Sequence, residues 1–151
     1  MHAEHATNKL DSTPSRIEGA GAWIGELIQN DPRWIVHWDS EQIAELEAAA
    51  DHFLNSGIPL EDVSPESFPL KNLVPFIAKT LNELLSGRGF VLLRGLPIKS
   101  WSIEKAAAVY MGLGRHMGSL RSSNGKGHLL GHVRDQGVKV EAGVRFYQTN
   151  R

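Results

Sequence analysis

Between positions 87 and 97 the chain reads Gly87-Arg88-Gly89-Phe90-Val91-Leu92-Leu93-Arg94-Gly95-Leu96-Pro97. The apolar run at 90–93 lies between glycines. It is too short for a helix and is bounded by breakers, so it predicts a short buried strand. Gly87 or Gly89 can end a preceding helix in the left-handed conformation that glycine adopts at little cost. Pro97 stops the strand because it cannot donate to a ladder. Helical patterns lie on both sides. The expected order is helix, central strand, helix, with looser β material around them.

Upstream, Leu73, Phe76, Ile77, Leu81, Leu84 and Leu85 recur at helical spacing. Asn72 is the expected cap, and Pro75 is tolerated in the first turn. Downstream, Ser102 can cap a helix whose buried stripe is Ile103, Ala106, Ala107, Tyr110, Leu113 and Met117. Its small residues Ala106, Ala107 and Gly114 would allow close packing against a sheet. Further back, Ile43, Leu46, Ala50, Phe53 and Leu54 define another helix. Asp39-Ser40 would cap it and Gly57 would end it. Trp34, Val36 and Trp38 alternate with Ile35 and His37, which predicts a strand with one aromatic face. One or two helical turns are expected near residues 22–28, ended by Asn30-Asp31-Pro32. Pro59, Pro65 and Pro69 predict an ordered loop over 57–70.

The two ends differ in character. Residues 1–18 are polar and lack apolar periodicity, which predicts a disordered leader. Residues 19–151 read as one domain. Residues 119–127 form a Ser/Gly/Asn loop. A strand is expected over 128–133, and another β run begins at 146–150. An unpaired edge on that last run would favour self-association.

Composition excludes several classes. The chain has 151 residues, net charge −1 and no cysteine. Thiolate chemistry and disulfides are therefore impossible. The charge gives no bulk attraction to nucleic acid or to an anionic membrane. No apolar run approaches a membrane span, and the start lacks a signal-peptide core. A cytoplasmic location is the default expectation.

Candidate chemistry is sparse. The glycine pairs at 112/114 and 125/127 fail both nucleotide-binding spacings. His37-Trp38-Asp39 is a literal His-x-Asp, a spacing used in two-His-one-carboxylate iron sites. Asp39 abuts a helix start, however, so helix capping is the simpler reading. His128 and His132, four apart, would share a face and could line a polar pocket. His116 sits near a helix end, where the dipole favours a cation. Arg115, Arg121, Lys126, Arg134 and Arg145 make the last segment basic, suited to a small acid.

The segments Gly89-Phe90-Val91-Leu92-Leu93-Arg94-Gly95-Leu96-Pro97, Trp101-Ser102 and Gly112-Leu113-Gly114 resemble the taurine dioxygenase (TauD/TfdA) family. So do Lys126-Gly127-His128-Leu129-Leu130-Gly131-His132-Val133-Arg134-Asp135 and Tyr147-Gln148-Thr149-Asn150-Arg151. The resemblance covers residues 20–151 and is most specific over 87–151. It implies an α+β chain: the N-terminal helices and first strands of a double-stranded β-helix, or jelly roll, of the clavaminate synthase-like kind. It implies iron(II) and 2-oxoglutarate as cofactors for the full-length family, and hydroxylation of a small, anionic substrate. In such enzymes the iron-binding His-x-Asp follows a segment like 147–151, and the distal His and a cosubstrate-binding arginine come later. The sequence thus reads as an N-terminal part, expected to hold neither cofactor firmly and to be inactive alone. Tyr147, Gln148 and Asn150 are the expected substrate contacts, with His128 and His132 next; no catalytic or metal residue is assigned. The alternative is a non-catalytic small-molecule binding or regulatory module on the same scaffold.

Overall fold

The computed structural model describes residues 18–122 and 124–131. They divide into two compact units, Met1–Ser119 and Leu120–Arg151, taken separately below.

The first unit is mostly helical with one small sheet. In chain order its elements are α1 (Gly25–Ile28), β1 (Ile35–His37), α2 (Ser40–Ser56), α3 (Val74–Ser86), β2 (Leu92–Arg94) and α4 (Ile103–Met117). Short 3-10 turns at Pro32–Trp34, Leu60–Asp62 and Ile98–Ser100 link them. β1 and β2 pair in parallel, with Ile35 opposite Leu92, Val36 opposite Leu93 and His37 opposite Arg94. A parallel pair needs a crossover, and α2 and α3 supply it.

The helix ends follow local chemistry. Asp39 Oδ1 accepts the Gln42 backbone N–H at 2.8 Å, and Gln42 Oε1 accepts the Asp39 N–H at 3.2 Å. This reciprocal capping box satisfies two donors that the first turn of α2 would otherwise leave unpaired. Gly57 closes α2 at φ 70°, where a side chain would be strained. Ser102 caps α4 by accepting from the Lys105 N–H at 3.1 Å.

The core lies between α2, α4 and the loop that joins α2 to α3. Leu46, Ala49, Ala50 and Phe53 of α2 are buried with Ala108, Val109, Met111 and Gly112 of α4. Val63, Phe68, Leu70 and Leu73 fill the space from the loop side. Polar clasps hold the helices at the margins. Trp101 Nε1 donates to Glu47 Oε1 at 2.6 Å, and Lys105 Nζ pairs with Asp51 at 2.7 Å. Arg115 Nε donates to the Val63 carbonyl at 3.1 Å, and the His116 ring bonds the Phe68 carbonyl at 2.7 Å.

Several expectations need correction. The strand after Gly89 starts two residues later than the apolar run, and Leu92 is 40% exposed rather than core. Among the described residues β1 is its one partner strand, and a pair this small does not bury both faces. The strand before α2 covers only Ile35–His37; Trp34 closes a 3-10 turn instead. Asn72 does not cap α3. Leu73 takes that position without a side-chain bond, and the Asn72 N–H goes to Glu45 Oε1 at 2.8 Å. In α4 the expected stripe is not the core face: Ile103 is 75% and Tyr110 69% exposed, and Ala106, Ala107, Leu113 and Met117 are only half-buried. The opposite face packs on α2, because Gly112 there admits the Phe68 ring, which a Cβ would overlap. Leu54 and Leu85 are likewise exposed.

In the second unit the described residues form turns without a strand. The strand expected from residue 128 is absent over 128–131, and the remainder of that run lies outside the described residues. Among the described residues no helix is long and apolar enough to cross a membrane.

Candidate functional site

Among the described residues, three places are candidates for polar chemistry. The first is a cleft about 410 Å³ in volume, open to solvent, between the α1 region and the end of α3. Ala20, Trp23, Leu27, Ile28, Asp31 and Arg33 form one wall, and Glu83, Gly87 and Arg88 the other. Arg88 is its hub. Glu83 Oε1 accepts both the Arg88 backbone N–H at 3.1 Å and its Nε–H at 2.6 Å. Arg88 Nη2 donates to the Arg33 carbonyl at 3.2 Å, and Nη1 stands 3.6 Å from Asp31 Oδ2. Asp31 in turn holds Arg33 by a two-point bond, with 2.7 Å at each oxygen. The Trp23 indole N–H donates to the Arg88 carbonyl at 3.0 Å. Phe90 sits edge-on to Trp23 at 5.0 Å and tilted to Trp34 at 5.8 Å.

The electrostatics follow from these bonds. Hydrogen bonds from the Arg33 side chain and backbone hold the Asp31 carboxyl at a pKa of about 2. The Arg88 backbone and side-chain bonds hold Glu83 below its ordinary value. Two guanidinium groups face two carboxylates, so the cleft is close to neutral in charge. Sequence reading missed it because its parts come from positions 20–33 and 83–88, and no short motif joins them.

The second place is the carboxyl end of the β1–β2 pair, the end at which open α/β sheets bind ligands. The register sets His37 beside Arg94, and both are exposed. Trp38 follows, buried, with its ring 4.7 Å from Phe76. Its indole N–H is buried without a partner among the described residues. Asp39 is taken by the capping box, so His37-Trp38-Asp39 does not offer a ready carboxylate to a metal. Among the described residues no group of three His, Asp or Glu side chains is placed to hold a metal ion. These residues therefore do not fit an iron site.

The third place is the turn in the second unit. Asn124 Oδ1 accepts the Lys126 N–H at 3.0 Å and the His128 N–H at 3.3 Å, and Asn124 Nδ2 lies 3.0 Å from His128 Nδ1. His128 is thus exposed and held by a local turn. His132, Tyr147, Gln148 and Asn150 lie outside the described residues.

No family model matches the chain. Two curated proteins are similar to it. FR-33289 synthase of Streptomyces rubellomurinus is 26% identical over 136 residues, 89% of this chain and 40% of that protein. The taurine hydroxylase-like protein SAT17 of Stachybotrys chartarum is 26% identical over 121 residues, 80% of this chain and 31% of its own length. The chain therefore spans well under half the length of the curated relatives it matches.

Proposed function

We propose that this chain is the N-terminal part of an iron(II)- and 2-oxoglutarate-dependent oxygenase of the taurine dioxygenase kind, which hydroxylates a small, anionic substrate. Its full-length fold is a jelly roll, to which the α+β unit described here contributes the outer helices and first strands. The observation that carries the reading is the 26% identity to a taurine hydroxylase-like protein over 80% of the chain. The motif order from Gly89 to Arg151 supports it, as does a second relative matched over 89% of the chain.

In this reading iron and 2-oxoglutarate are held by residues that follow a segment like 147–151 in the full-length protein, so the isolated chain turns over no cosubstrate. Tyr147, Gln148 and Asn150 contact substrate, with His128 and His132 beside them. An exposed His128 on a turn containing Lys126 suits contact with an acid.

Reading the coding DNA past codon 151 tests the assignment. A His-x-Asp soon after, then a distal His and an Arg, is the expected result. An in-frame stop at that point overturns it. For the isolated chain, incubation with iron(II), ascorbate, 2-oxoglutarate and oxygen should release no succinate above a metal-only control. Succinate lost in His37→Ala would instead place the metal at His37.

A further inference from the structure

The contacts around Arg88 form a separable device. Residues 19–34 contain α1 and the Pro32–Trp34 turn, and neither has a buried residue. The first residue of α1 follows Ile24, which gives no side-chain cap. Trp23, Ile24 and Leu27 are 46%, 57% and 69% exposed. The segment has little apolar burial of its own. Its long-range ties run to Arg88 and Phe90: the Trp23 indole to the Arg88 carbonyl, the Arg33 carbonyl and Asp31 to the Arg88 guanidinium, and the Trp23 and Trp34 rings to Phe90. Glu83 fixes the guanidinium from the other side. Beyond Trp34, the chain enters β1 and is held by the sheet.

We propose that residues 19–34 form a strap that opens as one unit about the Trp34–Ile35 junction, with the Arg88 side chain as its latch. A segment with few buried contacts and a small set of side-chain ties opens locally, at lower free energy than the whole domain. The strap supplies six of the residues that line the 410 Å³ cleft, and the latch side supplies Glu83, Gly87 and Arg88. The width of the cleft is therefore set by the latch. Opening removes one wall and bares the edge of Phe90.

Native-state hydrogen exchange, read peptide by peptide, tests this. In Arg88→Met the amides of 19–34 should exchange about tenfold faster, the loss expected for hydrogen bonds to a charged group. Those of α2 and α4 should be unchanged. Glu83→Gln, which keeps the side-chain shape, should give a smaller acceleration confined to the same segment. Trp23→Leu removes the indole bond and should also act on 19–34 alone. Unchanged strap amides in Arg88→Met overturn the latch. Equal acceleration in α2 and α4 overturns the strap as a separate unit.

Discussion

Gly112 is the residue on which the packing of α4 turns. A Cβ there would overlap the ring of Phe68, which is fully buried and cannot swing away. Gly112→Ala should destabilise the first unit by about 1–3 kcal/mol, the usual cost of overpacking a filled core. The gain in helix propensity, up to about 1 kcal/mol, opposes this only in part. Urea unfolding followed by circular dichroism measures the balance, and an unchanged midpoint would refute the contact. A second pair of variants separates core from rim. Leu46 is fully buried, whereas Leu92 is 40% exposed. Leu46→Ala should cost about 2–5 kcal/mol. Leu92→Ala should cost well under that, about 1 kcal/mol or less. Comparable losses in the two would return residue 92 to the core.

At the scale of elements, the strap and its latch give a pH dependence with a definite sign. The Asp31 carboxyl, held by Arg33, titrates at about 2, and Glu83, held by the Arg88 backbone and side chain, is also lowered. Both groups have a higher pKa when the chain is unfolded. Their stabilisation is therefore full above the ordinary carboxylate range and is lost as pH falls through the lowered values. The Asp31–Arg33 pair lies wholly within the strap and the Glu83–Arg88 pair wholly outside it, so the linkage acts on unfolding of the first unit rather than on opening of the strap. Urea midpoints should stay constant from neutral pH to about 5 and fall only in stronger acid. A fall near pH 6 would point to histidine instead. The same elements show what a sequence discloses. The Asp39 box, the Gly57 stop and the Ser102 cap depend on residues within a few positions and were legible. The inward face of α4 was not. Both of its faces carry apolar residues, so periodicity alone could not choose between them. What chose was Gly112, whose missing side chain leaves room for Phe68 from a loop 44 residues earlier. The Arg88 cleft was hidden for a similar reason, since its partners lie up to 65 residues apart. The expected site residues at 132 and 147–150 lie outside the described residues, and of that set only His128 has a described position.

At the scale of the whole molecule, two of the long-range links among the described residues differ in kind. The α2–α4 interface is broad, apolar and clasped at its margins. The β1–β2 pairing is narrow, three residues on each side, and bridges 57 positions from Ile35 to Leu92. That difference has a kinetic meaning. Closing a loop costs entropy that must be met before the contacts it makes return anything, and non-local parallel pairing is slow for that reason. On a growing chain, α2 can coil as soon as it emerges. β1 must wait, exposed, until residue 94 has been synthesised. Substitutions such as Val36→Ala should leave the folding rate nearly untouched and speed unfolding, whereas Ala50→Gly in α2 should slow folding. Stopped-flow measurements on the two variants decide the order. If it holds, the small β1–β2 sheet is the clock of the first unit: the strands meet last, and their meeting marks the moment at which the nascent chain commits to its native topology.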